Sequence, residues 1–276
     1  MRSTGRPNRG QRAKPGVTRE QIARRERFER ARRDSLRPQN LAVLYGWHTV
    51  KAALENPARK VRRFLATENA ARRLAEDGVA AVPEVVRPTA IAERLSPDAV
   101  HQGLYLEAEP LPSPTLDEIA PSAPVLVLDQ ITDPHNVGAI LRTAAGFGVA
   151  AVVTTTRHSP DTTGVLAKAA SGALEYVPIV AVQNLARALA DLKERGYLLV
   201  GLDADADTEL GAVAMRSPLA LVLGAEGKGL RQLTRGTCHH VARLDLPGRI
   251  KSLNVSNAAA LALYVATGRI SGPASA

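Results

Sequence analysis

Three segments carry side chains whose types and spacing admit chemistry. In the first, Asn136 precedes an apolar run, Val137 to Ala145, that reads as a helix, and its side chain there is placed to cap. Arg142, six residues on, is flanked by Leu141, Thr143 and Ala144. A guanidinium in so apolar a stretch needs an anionic partner or an exposed position. It is therefore either a clamp for an anion or a plain arginine on the solvent edge. In the second, Gly224-Ala-Glu226-Gly227-Lys228-Gly229, three glycines allow a ligand close to the backbone. Glu226 repels phosphate and the Lys-Ser/Thr ending of a phosphate cradle is missing, so a tight turn is the plainer alternative. In the third, Gly248 to Ser256, Ser252 and Asn254 are helix-start residues, and the N–H groups they leave exposed can hold a carboxylate. Cys238-His239-His240 is tempting as a metal cluster, but adjacent residues rarely converge on one ion and further ligands are missing, so no metal is expected.

The elements that must position these groups alternate. Val125–Leu128 is a continuous apolar run, the mark of a strand buried on both faces. Further strands are expected at Ala150–Thr154, Val177–Val180, Tyr197–Leu202, Leu219–Leu223 and Val241–Leu244. Helices are expected at Val137–Ala145, Thr163–Ala170, Leu185–Glu194 and Val255–Thr267. This is an α/β pattern: a mainly parallel sheet with helices on both faces. In such sheets ligands bind beyond the carboxyl ends of the strands, where all three segments fall.

Upstream, residues 41–110 read as a small α/β unit. It has helices at Trp47–Leu54, up to Leu74 and at Thr89–Leu95, and strands at Val61–Thr67, Ala80–Val86 and Gly103–Leu106. The stretch Glu109-Pro-Leu-Pro-Ser-Pro114 has few backbone donors, and residues 111–122 are expected to be a stiff linker to a second unit, 123–276.

Hydrophobic residues make up 45% of the 276 and aromatics only 3%, so the core must be built from Ala, Val, Leu and Ile. The net charge is +9, and its location matters more than its size. Residues 1–40 hold 13 Lys/Arg and 4 Asp/Glu, whereas the remaining 236 hold 23 of each, so the whole excess lies in an N-terminal tail. With few apolar side chains, that tail is expected to be disordered, either a polyanion-binding arm or a solubilising extension. One cysteine, Cys238, excludes a disulfide within the chain and fits a reducing, cytoplasmic compartment. No apolar run of about 18 residues exists to span a membrane. The arginine pairs near the N-terminus are not followed by the apolar stretch of a secretory signal.

Taken together and in order, Asn136 to Ala144, Gly224 to Gly229 and Gly248 to Ser256 resemble the three motifs of the SpoU (TrmH-like, SPOUT) family of ribose 2′-O-methyltransferases: Asn-x-Gly-x-x-x-Arg-x-Ala, Gly-x-Glu-x-x-Gly, and a Gly followed by Ser-Leu-Asn-Val-Ser. Leu244-Asp245-Leu246-Pro247-Gly248 departs from the family's usual Ile-Pro-Met-x-Gly. Leu44-Tyr-Gly46-Trp-His48 and His101-Gln102-Gly103 resemble the L30e-like RNA-binding domain of the family's ribosomal members.

The resemblance implies a C-terminal trefoil knot, a homodimer, S-adenosylmethionine as cofactor and RNA, not DNA, as substrate. It implies 2′-O-methylation of a ribose, a guanosine of 23S ribosomal RNA, with transfer RNA or a non-catalytic role in ribosome assembly as alternatives. It places the cofactor against Gly224, Leu244, Leu246 and Leu253. Arg142 becomes the essential residue, a clamp on an RNA phosphate and a stabiliser of the forming alkoxide, since arginine keeps its proton. An RNA phosphate or Glu226 takes the ribose proton; Asn136 and Asn254 shape the site, and Ser252 binds the cofactor carboxylate or the RNA.

Overall fold

The structure is a computed structural model that describes residues 41–156 and 164–270. The expected disordered tail, residues 1–40, lies outside them.

The chain first forms a four-stranded sheet. It comprises β1 (Ala42–Tyr45), α1 (Trp47–Glu55), β2 (Val61–Ala66), α2 (Glu68–Glu76), β3 (Glu84–Val85), α3 (Pro88–Ala92) and β4 (Leu104–Ala108), with strand order β1-β4-β2-β3. β4 runs antiparallel to both β1 and β2. One strand here is not legible in the sequence, and one expectation is corrected. β1 is too short, four residues before a glycine, to register as a periodic run, yet it pairs with β4 along its whole length. The strand expected over Ala80–Val86 shrinks to the two residues of β3, because Pro83 has no N–H to give a ladder.

The second sheet has seven strands. They are β5 (Val125–Asp129), β6 (Ala151–Thr155), β7 (Ile179–Val182), β8 (Leu198–Leu202), β9 (Thr208–Glu209), β10 (Leu219–Gly224) and β11 (His240–Arg243), in the order β7-β6-β5-β10-β8-β11-β9. Every neighbouring pair is parallel. The connecting helices are α4 (Pro134–Gly146), α5 (Gly164–Ala170), α6 (Leu185–Glu194), α7 (Gln232–Thr237) and α8 (Val255–Ile270). Alternate strand residues separate into two cores. Leu126, Leu128, Leu221 and Leu223 pack with α4, α5 and α8, whereas Val125, Val127, Ala220 and Val222 pack with α6. Helices thus cover both faces, as the apolar runs require.

α4 begins three residues earlier than expected. Asp133 caps it, its carboxylate accepting the His135 N–H at 3.0 Å, and Pro134 occupies the first helical position. An acid followed by proline is the stronger start signal. Asn136 is therefore not the cap, and its side chain is free for other partners. Val137, Ile140, Leu141 and Ala144 bury one stripe of α4, which leaves Arg142 on the exposed side.

The two sheet units share one hydrophobic cluster that runs from Leu44, Trp47 and Val50 to Leu166, Ala167 and Ala170 of α5. The Thr49 hydroxyl donates to the Ala167 carbonyl at 3.1 Å. Arg59 and Glu175, one from each unit, form an ion pair at 2.6 Å with side chains only 1% and 2% exposed.

Candidate active site

The carboxyl ends of β8, β10 and β11 open onto one cavity of about 490 Å³, a size typical of small-molecule sites. Gly224, Glu226, Leu244, Leu246, Ser252 and Leu253, six of the nine residues singled out from sequence, line it. Gly224 ends β10, where the chain folds back on itself, Ala225 bridging to Gly229. A Cβ on Gly224 would lie 2.2 Å from the Gly229 carbonyl carbon, so only glycine fits that crossing. Asp129, buried at the end of β5, anchors the far side of this loop. Its carboxylate accepts from the Arg231 guanidinium at 2.7 Å and from the Arg231 backbone N–H at 3.1 Å. The loop after β11 is closed by Lys251, whose ammonium donates to the Leu246 carbonyl at 2.6 Å.

At the cavity's edge, Glu226 gathers two distant segments. Its Oε1 accepts from Asn254 Nδ2 at 2.7 Å, from the Val255 N–H at 3.1 Å and from Asn136 Nδ2 at 3.3 Å. Asn254 Nδ2 also donates to Asn136 Oδ1 at 2.9 Å. Asn254 Oδ1 accepts from the Ser256 backbone N–H at 2.9 Å and the Ser256 hydroxyl at 2.6 Å, so Asn254 caps α8 as expected. Ser252 does not share that role; it lies exposed in the cavity wall. A carboxylate at the start of α8 also sits at the positive end of the helix dipole.

Arg142 does not line the cavity. It lies six residues beyond Asn136, about 9 Å along the helix axis, exposed and without an ion pair or hydrogen bond among the described residues. It is a cation held on a rigid helix and available to an outside anion.

Sequence reasoning missed Asp203 and Asp205, which line the same cavity just beyond β8. Asp203 pairs with Arg235 and accepts the Asp205 N–H at 3.0 Å. The rule that located the other segments, that ligands bind just past the carboxyl end of a strand, flags this Asp-Ala-Asp as well. Cys238 and His239 of the Cys238–His240 run have other partners. The Cys238 thiol donates to the Thr234 carbonyl at 3.3 Å, and burial pushes it up to about 11. His239 Nδ1 accepts the Leu199 N–H at 3.0 Å, and burial lowers its pKa.

Known proteins place this geometry. A family model described as the SpoU rRNA Methylase family matches residues 123–264, and a second, described as RNA 2′-O ribose methyltransferase substrate binding, matches residues 43–114. The chain belongs to the SpoU rRNA methylase family. Among its relatives, a Pseudomonas putida protein named 23S rRNA (guanosine-2′-O-)-methyltransferase RlmB is 39% identical over 237 residues, 82% of this chain and 96% of that protein. A protein of the same name from Ralstonia nicotianae is 38% identical over 240 residues, covering 81% and 94%. A crystal structure of an RNA 2′-O ribose methyltransferase superposes with a TM-score of 0.71 at 25% identity, covering 92% of this chain and 97% of that one. The SpoU methyltransferase AviRb from Streptomyces viridochromogenes, in complex with AdoMet, shares the fold, with a TM-score of 0.73 at 23% identity and coverage of 89% and 98%. Within this SpoU methylase, the three sequence motifs thus meet at one end of the parallel sheet. No helix among the described residues is long and apolar enough to cross a membrane.

Proposed function

We propose that this protein transfers a methyl group from S-adenosylmethionine to the ribose 2′-hydroxyl of a guanosine in 23S ribosomal RNA. The observation that carries the reading is the convergence of Asn136 from the first turn of α4, Glu226 from the loop after β10 and Asn254 from the start of α8, up to 118 residues apart, at the rim of the cavity lined by Gly224, Leu244, Leu246 and Leu253. Relatives of nearly the same length, named for that reaction, point the same way.

The cavity suits the cofactor. Its volume fits a molecule of that size, the three leucines give an apolar wall, and the crowded Gly224 turn brings backbone polar groups to the surface. When bound, the cofactor supplies an activated methyl on a cationic sulfur, so the protein must orient the acceptor and manage one proton. Arg142 clamps the neighbouring RNA phosphate and stabilises the oxygen as its charge develops. The ribose proton passes to a phosphate oxygen of the RNA. Glu226 is the organiser, since its Oε1 already holds three donors, and Asn136 and Asn254 keep the rim in register. Ser252, exposed in the wall, contacts the cofactor carboxylate or the RNA.

Residues 41–110 serve as an L30e-like RNA-substrate-binding unit, 111–122 as the linker and 123–276 as the methyltransferase unit. The segment from Leu244 to Val255 forms the trefoil knot with the Gly224–Gly229 loop. The sharing of one cavity by the two loops and the bonds from Asn254 and Val255 to Glu226 support this. A homodimer is supported by Leu261 and Tyr264, which α8 leaves 44% and 69% exposed.

The decisive test is transfer of labelled methyl from S-adenosylmethionine to 23S ribosomal RNA, with the product mapped by resistance of the methylated ribose linkage to alkali. Modification at one guanosine is expected. Absence of transfer to RNA prepared from a strain lacking the gene would refute the reading.

A further inference from the structure

A second cavity, of about 290 Å³, opens in the first sheet unit and is lined by Trp47, Thr67, Asn69, Arg73, His101 and Gln102. Its floor is the His101–Gly103 turn, in which Gln102 and Gly103 take φ values of 52° and 78°. The left-handed region is costly for a residue with a Cβ and is kept only where surroundings enforce it. Here they do. The Thr67 N–H donates to the Gly103 carbonyl at 2.8 Å, and the Gly103 N–H donates to His101 Nδ1 at 3.1 Å. The Trp47 N–H donates to Gln102 Oε1 at 2.9 Å, and a Cβ on Gly103 would strike the Thr67 hydroxyl at 2.4 Å. Lys168, from α5 of the other unit, donates to the same Gln102 oxygen at 2.8 Å. The turn is thus tied both to its own sheet and to the helix that packs on α4, the carrier of Arg142.

Over this floor lies a flat cation. The Arg73 guanidinium carbon is 3.8 Å from the centroid of the Trp47 ring. The indole is buried, 6% exposed, while Arg73 is exposed. One face of the guanidinium is therefore spent on the indole and the other is open. Stacked on the indole, the guanidinium keeps its N–H groups at its edge and offers a second face, which suits a stacked aromatic ligand. Hydrogen-bonding groups surround it. His101 Nδ1 is fixed as an acceptor, which leaves Nε2–H as a donor on a ring whose pKa burial lowers. The Gln102 amide nitrogen has no partner among the described residues. Arg72 and Arg87, both exposed and adjacent in sequence to the lining residues Arg73 and Pro88, supply charge for a flanking backbone.

We propose that this cavity holds one unpaired nucleobase of the substrate RNA, stacked on the open face of Arg73 and read at its edge by Asn69, His101 and Gln102. The inference rests on the reading of the protein as an RNA methyltransferase. It assigns to the first unit a defined anchor, away from the reacting nucleotide, that fixes where the strand lies relative to Arg142.

Trp47 is the chain's one tryptophan, so its emission reports on this pocket alone. The experiment titrates full-length protein with transcribed 23S ribosomal RNA at several salt concentrations, following Trp47 emission and affinity in the wild type, Arg73→Lys and Arg73→Ala. S-adenosylmethionine affinity is measured on the same preparations. Arg73 is exposed, so neither change threatens the fold. RNA is expected to change Trp47 emission in the wild type. Arg73→Lys, which keeps the charge but loses the plane, should weaken RNA binding about 5- to 100-fold, with an unchanged salt slope. Cofactor affinity should stay at the wild-type value. Wild-type RNA affinity in Arg73→Lys, together with a salt slope shallower by about 0.7–0.9 in Arg73→Ala, marks a phosphate contact and overturns the proposal. Unaltered Trp47 emission also overturns it, as does displacement of the RNA by micromolar guanosine monophosphate, which would mark a free-nucleotide site. These outcomes leave methyl transfer by the wild type intact. Loss of the functional reading would show instead as a wild type that binds no S-adenosylmethionine.

Discussion

Asn254 reaches Glu226 through its side-chain amide at 2.7 Å, and the same carboxylate oxygen receives the next residue's backbone N–H at 3.1 Å. One acid thus fixes both the asparagine and the first turn of α8, while the asparagine's own oxygen caps that helix. The rim of the cavity and the start of the C-terminal helix are one hydrogen-bonded unit.

That arrangement separates two roles for Glu226. As an organiser it needs an acceptor oxygen at one place, which glutamine also offers. Glu226→Gln should therefore keep methyl transfer within about tenfold, whereas Glu226→Ala should lose it and also cost about 1 kcal/mol of stability as the helix start loses its partner. Single-turnover rates and urea unfolding of both variants are the measurements. A drop of about 10²–10⁴-fold in Glu226→Gln, the size of a lost general base, would make Glu226 the proton acceptor instead.

Arg142 carries a sharper expectation. It is exposed on α4, outside the cofactor cavity and unpaired among the described residues, so its removal should spare cofactor binding. Arg142→Ala should lower methyl transfer by at least about 10²–10³-fold, with S-adenosylmethionine affinity within a few fold by calorimetry. Arg142→Lys should fail nearly as badly, because a point charge does not reproduce the two-pronged guanidinium. Near-normal turnover in either variant would show that the residue is only a solvated surface arginine.

Much of this architecture is legible in the sequence, and the part that is not has definite causes. The parallel sheet follows from apolar runs such as Val125–Leu128 and Leu219–Leu223, which only strands buried on both faces tolerate. The rule that ligands sit beyond strand ends points to the segments around Gly224 and Gly248, whereas the individual cavity-lining residues Gly224, Leu244, Leu246 and Leu253 are legible only through the family resemblance. Partner choice does not follow from local pattern. Asn136 looks like a cap in sequence, but Asp133-Pro134 starts the helix, and Asn136 instead meets residues 90 and 118 positions away. The Arg73–Trp47 stack is likewise a long-range contact that no periodicity announces.

The junction of the two sheet units gives a stability test. Glu175 accepts from Arg59 through both oxygens, at 2.6 and 3.1 Å, and from Asn56 Nδ2 at 2.8 Å, while Arg59 also donates to the Glu109 carbonyl at 2.9 Å. With both side chains almost fully buried, removing one partner strands a charge. Glu175→Leu should cost about 3–5 kcal/mol in urea unfolding. Adding Arg59→Met should recover much of the loss, since a buried pair replaced by apolar groups is often neutral. A single variant that loses less than the double variant would show that the pair does not act as a unit.

The last expectation concerns charge. All of the net +9 lies in residues 1–40, while the remaining 236 residues carry 23 basic and 23 acidic groups. Long-range attraction to RNA should therefore come from the tail, and recognition from the folded units. Each phosphate neutralised contributes roughly −0.7 to the log–log salt slope on single strands and about −0.9 on duplex, so a tail engaging about five phosphates adds roughly −3 to −5. Deleting residues 1–40 should weaken RNA binding at low salt and flatten its salt dependence by that amount. It should leave S-adenosylmethionine affinity and the identity of the methylated nucleotide unchanged, because Gly224, Leu244, Leu246 and Leu253 line the cavity from the second sheet unit. The measurement is a salt titration of RNA affinity for the full-length and truncated chains. Coincident lines would mean that the tail's charge is a bystander and that the neutral folded part recruits the RNA by itself.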